Sequence, residues 1–168
     1  MPDPSPAASL LFLREEELRH GVDLLFLAGR DLATPVDTIL AERGLDRRHF
    51  RILQFLAGVP HMPVAELLGL VHLTKQTLSR LVGQLVAAGL VTTRPSPQDR
   101  RQILVGLTET GRALERQLWE GQRGRIARAY RESGSQAVEG FRRVLLALIE
   151  AERDRNRFAR PLPAAGSR

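Results

Sequence analysis

The sequence predicts a mainly helical fold with a small β component: long helices at both ends and short helices plus one β-hairpin between them. Apolar residues recur at helical spacing over most of the chain, as at Leu78, Leu81, Val82 and Leu85, or at Phe141, Val144, Leu145, Leu148 and Ile149. Between Gly89 and Gly111 that period changes. Leu90–Arg94 is rich in β-branched residues, and Ile103, Val105 and Leu107 alternate to one face as a half-buried strand requires. Pro95 and Pro97 separate these two runs and interrupt pairing, so the segment reads as a hairpin whose tip carries Asp99, Arg100 and Arg101.

The elements follow in order. Residues 1–9 are proline-rich and read as a loose tail. A long amphipathic helix is expected from about Leu10 to Ala33, with Leu18, Val22, Leu25, Gly29 and Leu32 on one stripe and Leu24, Phe26 and Leu27 on another. A helix apolar nearly all round needs two sets of neighbours. Pro35 is expected to end or kink it. A second helix, about Asp46–Ala57, turns Phe50, Leu53 and Leu56 inward and stops at Gly58 and Pro60. A third begins at Pro63, carries Glu66 near its positive end, and finishes near Gly69. The fourth starts at the N-cap Thr74 and runs to Ala88, with Gly89 as a left-handed C-terminal cap. Beyond the hairpin, a fifth helix covers about Glu109–Arg131 and breaks around Ser133–Gly134. A sixth covers about Gln136–Arg155, and a tail follows.

Composition narrows the function classes. A chain of 168 residues with 43% hydrophobic content can bury a real core as one domain. The net charge of +6 suits a polyanionic partner, although an arginine-rich solvated surface has the same charge. There is no cysteine, which excludes disulfides, thiolate metal sites and thiol oxidation sensing. No apolar run approaches the roughly 18–20 residues of a membrane span. The start of the chain lacks a basic-then-apolar leader, so a cytoplasmic location without membrane contact is expected. His20, His49, His61 and His72 show no metal-ligand spacing. No phosphate loop, nucleophile elbow or carboxylate–histidine motif is present, so neither catalysis nor a cofactor is expected.

The third and fourth helices with their tight connection form a helix-turn-helix. Opposite the buried stripe of the fourth helix lie Gln76, Ser79, Arg80 and Gly83, with Lys75 beside them. These side chains can hydrogen-bond base edges: glutamine to adenine, arginine or lysine to guanine, serine to several acceptors. Thr74, Lys75, Gln76 and Thr77 occupy the first turn, where such helices meet bases or phosphates. Any solvated helix has a polar face, and any surface hairpin can carry arginines. The succession is more specific than either part. A two-faced helix followed at once by a hairpin tipped with Arg100 and Arg101 is a winged helix-turn-helix, one element for the major groove of double-stranded DNA and one for the minor groove. A protein-binding adaptor is the alternative, and it would show apolar patches on one of these surfaces.

The span from Leu18 to Ala151 resembles the MarR family of transcription regulators. The resemblance rests on Gly89-Leu-Val, Arg94-Pro-Ser-Pro, Asp99-Arg-Arg101 and Leu107-Thr-Glu-Thr-Gly111, which match the family's G-(L/W)-V, R-x-x-x-x-D-x-R and L-T-x-x-G signature. Thr92 and Thr93 depart from the charged residues common there. The resemblance implies a tail (1–9), a dimerisation helix (10–45), a winged DNA-binding lobe (46–107), C-terminal dimerisation helices (108–155) and a second tail (156–168). It also implies a homodimer on a pseudo-palindromic operator, repressing as a rule. Arg94 joins the DNA-contacting set, Asp99 orients Arg101 by holding its guanidinium, and Arg101 or Arg100 enters the minor groove. Many relatives are released by small aromatic or anionic ligands where the dimer helices meet the lobe. Here that junction would draw on Phe26, Arg30, His49, Phe50, Arg116 and Trp119, arginine for a carboxylate and aromatics for a ring. Each of these also has an ordinary role, in the core, in ion pairs or in dimer packing.

Overall fold

The computed structural model describes residues 12–159. The elements are α1 (Glu15–Ala41), α2 (Arg47–Ala57), β1 (Met62–Pro63), α3 (Val64–Val71), α4 (Lys75–Ala87), β2 (Val91–Pro95), β3 (Ile103–Leu107), α5 (Glu109–Leu148) and α6 (Glu152–Ala159). The strands form one antiparallel sheet in the order β1-β3-β2, with Val91 opposite Leu107 and Met62 opposite Val105. This is a mainly α winged helix-turn-helix, the class the sequence predicts.

Three helix starts are built by side chains that satisfy otherwise unpaired backbone amides. Asp46 accepts from the amides of Arg48 and His49 at the start of α2. Thr74 accepts from Thr77 N at 3.2 Å and opens α4. Thr108 accepts from Gly111 N at 3.0 Å and opens α5. The last of these gives the Leu107–Gly111 motif a physical meaning. Thr108 also donates to Gly89 O at 2.7 Å, which pins the head of α5 to the root of the wing. A Cβ at Gly111 would be driven into the Leu90 carbonyl, so only glycine permits that approach. Gly89 takes the left-handed conformation (φ 67°) expected of it.

The core lies in the winged lobe. Phe50, Leu53 and Leu56 of α2 and Leu78, Leu81, Val82 and Leu85 of α4 are buried as their spacing indicates, together with Leu67, Val91, Val105 and Leu107. Leu40 of α1 and Leu114 and Leu118 of α5 close this core from the side of the long helices. Ile103 departs from the expected strand face. At 41% exposure it stands at the outer end of β3, beyond the reach of the core.

Several boundaries differ from the sequence reading. Pro35 neither ends nor breaks α1, which continues to Ala41. Proline lacks the amide that would pair with the carbonyl four residues earlier, here Asp31 O. Arg125 of α5 donates to that oxygen at 2.7 Å, and Gln122 donates to Leu32 O at 3.2 Å. The partner helix thus replaces the missing donor, which sequence periodicity along α1 cannot reveal. α3 begins one residue after Pro63 and runs past Gly69 to Val71, because His72 adopts the left-handed cap (φ 50°). α5 breaks at Gly134 (φ 77°, ψ 165°), as expected, but its second half stops at Leu148. Ile149 is extended, and the chain re-enters a helix as α6 with Asp154 placed 3.1 Å from His72 Nε2. β1 escapes a sequence reading, since two residues carry no alternation. The first tail and the expected start at Leu10 lie outside the described residues. Residues 156–159 belong to α6 rather than to a tail.

Candidate nucleic-acid interface

The outer face of α4 is polar and open. Lys75, Gln76, Ser79 and Arg80 are exposed, and Lys75, Gln76 and Ser79 have no side-chain partner among the described residues. Thr74 and Thr77 differ: their hydroxyls lie 2.8 Å apart and are spent on each other and on the cap. The first turn therefore offers free donors at Lys75 and Gln76 and a braced N-terminus behind them.

The wing is closed at its tip by backbone and short side chains. Ser96 is buried, its amide donates to Gln102 O at 2.8 Å, and its hydroxyl donates to Gln98 Oε1 at 2.9 Å. Gln102 N donates to Asp99 O at 2.9 Å, making a four-residue turn. Asp99 uses its carboxylate on that turn, accepting from Arg101 N at 3.0 Å. This corrects the expectation that it holds the Arg101 guanidinium. Aspartate at the first turn position satisfies the amide two residues on, and among the described residues no carboxylate reaches ion-pair distance of Arg100 or Arg101. Asp99 orients Arg101 through the backbone, and both guanidinium groups project from the turn unpaired.

Arg94 stands at the base of the wing. It pairs with Leu104, so it shares the outer sheet face with Leu104 and Gly106. Its Nη2 donates to His61 Nδ1 at 3.3 Å. His61 just precedes β1, with β3 between it and β2. A Cβ at Gly106 would lie 2.9 Å from the His61 ring and 2.6 Å from Pro60 O. The missing side chain is what lets the imidazole lie across β3 towards Arg94. On the opposite face, a groove of about 820 Å³ separates the wing from α3 and α4, with Lys75, Ser79, Arg101 and Gln102 above an apolar floor that includes Leu68 and Val82. The structure thus brings α4 and the wing tip to one surface.

Sequence reasoning missed His61, Gln84, Ser96 and Gly106. Each matters through a contact to another element or to the backbone, and helical or strand periodicity carries no signal for it. The ligand candidates are not gathered into one site within the chain. His49 and Phe50 are buried in the lobe. His49 serves α2 as a capping residue, 2.9 Å from Asp46 Oδ1, and Phe50 is core. Arg30 pairs with Asp31 at 2.9 Å and Arg116 with Glu109 at 3.7 Å, both on the surface. Phe26 is exposed on α1, and Trp119 is partly exposed on α5. Partial burial alone would raise the Asp46 carboxyl. The Arg48 guanidinium and the amides of His49 and Arg48 outweigh it and hold that carboxyl at about 2.

The model of the MarR family matches residues 43–102, the stretch from the end of α1 to the wing tip. The HTH-type transcriptional regulator PetP of Rhodobacter capsulatus is 41% identical over 142 residues, covering 84% of this chain and 86% of that protein. The chain belongs to the MarR family. It is a DNA-binding transcription regulator with a winged helix-turn-helix, and such regulators are not enzymes. Solved structures share the MarR fold. NadR in complex with 4-hydroxyphenylacetate superposes with a TM-score of 0.65 at 22% identity, covering 90% of this chain and 100% of that one. A variant of MarR from E. coli complexed with operator DNA gives 0.61 at 20% identity, covering 83% and 98%. No helix among the described residues is long and apolar enough to cross a membrane.

Proposed function

We propose that this MarR-family chain works as a homodimer that reads a pseudo-palindromic operator in double-stranded DNA and represses transcription there. α4 of each subunit enters the major groove and each wing enters the flanking minor groove. The observation that carries this reading is the groove that Lys75 and Ser79 of α4 share with Arg101 of the wing, with Gln76 and Arg80 exposed beside the first two and Arg100 beside the last. Base-reading groups, without a side-chain partner at Lys75, Gln76 and Ser79, beside the unpaired guanidinium groups of the wing match the two grooves of a duplex. Thr74, Thr77 and Arg94 support this surface from the helix cap and the wing base. The apolar faces of α1 and α5, left open in one chain, are the surface for the second subunit. Repression is the habit of MarR-family regulators, and simple occupancy of the operator supports it.

Arg101→Ala tests the assignment. Operator affinity should fall, and the slope of log affinity against log salt should drop by about 1 for each phosphate that a subunit no longer neutralises. Unchanged affinity and slope, in a variant that folds and dimerises, would remove the wing from the interface.

Release by a small aromatic carboxylate is a second reading, favoured by the 4-hydroxyphenylacetate bound to NadR. In this chain the side chains open to such a ligand are Phe26, Arg30, Arg116 and Trp119, whereas His49 and Phe50 act only from behind the surface. A panel of phenolic and carboxylic compounds that lowers operator affinity supports this reading. A panel that leaves affinity unmoved removes it.

A further inference from the structure

The reading helix is tied to the interior of the lobe through one buried ring. His49, 4% exposed, is the third residue of α2, and both edges of its imidazole are engaged. Nδ1 lies 3.1 Å from Asp46 N and 2.9 Å from Asp46 Oδ1. Nε2 lies 3.1 Å from Gln84 Oε1 of α4. Arg80 Nη1 donates to the same Gln84 oxygen at 3.2 Å. A guanidinium can only donate, so the Gln84 atom facing it is the amide oxygen. That oxygen can only accept, so the proton facing it sits on His49 Nε2. At the other edge, Nδ1 accepts from the Asp46 amide when the ring is neutral, or donates to the Asp46 carboxylate when it is charged. Either way the Nε2–H bond to Gln84 persists.

We propose that Gln84 and His49 are positioning residues for Arg80, so that the start of α2 sets where the Arg80 guanidinium stands on the reading face of α4. The proposal rests on the reading that Arg80 contacts DNA. Arginine is long and rotamer-rich, and an unanchored side chain loses that freedom on binding. Gln84 alone, one turn along α4, would be as free as its partner. The buried imidazole removes that freedom, because the ring is locked by the capping box at Asp46 and by the core around it. One Arg80 donor is used internally, and the remaining donors of this exposed side chain have no partner among the described residues. No periodicity in α4 shows this, because Gln84 lies on its polar side and its anchor comes from a helix 35 residues earlier.

The test uses the full chain and the duplex it enriches from a random pool. Arg80→Ala should weaken binding about 5- to 150-fold, the range of one specific base pairing. Gln84→Met keeps length and helix propensity but removes the acceptor, and should weaken binding about 2- to 10-fold. The thermal midpoint should fall, because the buried His49 Nε2–H loses its acceptor, but the loss of DNA affinity should vanish in an Arg80→Ala background. His49→Gln keeps a capping residue at the third position of α2 but cannot span from Asp46 to Gln84, so it should resemble Gln84→Met. If His49→Gln fails to fold, the Gln84 variants decide alone. Wild-type affinity in Gln84→Met while Arg80→Ala is impaired would overturn the positioning role, as would additive effects of the two. Wild-type affinity in Arg80→Ala would instead withdraw Arg80 from the DNA interface, and the positioning role with it.

Discussion

The winged lobe and the long helical arms are built from the same apolar residue types and meet opposite fates within one chain. In the lobe, Leu53, Leu56, Leu67, Leu81 and Leu85 are sealed between α2, α3, α4 and the sheet. In the arms, Val22 and Phe26 of α1 and Val144 and Leu148 of α5 stand more than half exposed, at 66%, 70%, 57% and 59%. Three short helices and a sheet, closed by Leu40 of α1 and Leu114 and Leu118 of α5, enclose a volume, whereas the outer stretches of the two long helices do not. Burying a large apolar side chain stabilises by about 1.5–3 kcal/mol. The arms therefore hold a substantial driving force that only another surface can realise. The lobe's apolar residues are covered within the chain, and in the proposed dimer the second subunit covers those of the arms.

The largest effect should come from the arms. Replacing Val22 and Phe26 together by aspartate should yield a monomer by sedimentation, with the lobe still folded. Operator affinity should drop on the order of 10²–10⁴-fold, because the second lobe no longer binds at high effective concentration. A dimer that survives the double substitution would place the interface elsewhere. A smaller effect is expected on the reading face. Gln76→Ala should cost about 1–3 kcal/mol at particular base pairs, the worth of one bidentate pairing with a base edge. Equal weakening on every duplex would show that Gln76 does not read bases.

The smallest effect should fall on the lobe alone. Asp46→Ala removes the cap of α2 and should lower stability by about 1 kcal/mol at neutral pH, a value discounted for the partial exposure of this carboxylate. The sign with pH follows from its depressed titration at about 2. A carboxylate held below its usual value contributes fully above that usual value, near 4, and loses the contribution as pH falls towards 2. The gap between wild type and variant should thus close over that interval in denaturant titrations, and a constant gap would contradict the assignment.

The lobe was legible in the sequence because its elements satisfy themselves locally. Thr74 caps its own helix, Gly89 takes the turn that only a small residue accepts easily, and the stripe of α4 faces a core made by its neighbours. Where a contact between elements decides the outcome, local reading falls short. Pro35 looks like a terminator until Arg125 supplies a donor to Asp31 O. Asp99 beside two arginines suggests an ion pair until the turn claims its carboxylate. His49 looks available to a ligand until both of its nitrogens are found engaged. The exposed polar row on α4 was visible because residues opposite a clean apolar stripe need no tertiary information. The second tier, Gln84 and His61, was hidden because it works through other side chains.

Selection of bound duplexes from a random pool tests the central claim most directly. A dimer whose two lobes present α4 to successive major-groove faces should enrich a pseudo-palindrome with half-site centres about 10–10.5 base pairs apart. A single half-site without dyad symmetry, or a pool that stays random, would contradict a dimeric operator-reading lobe pair.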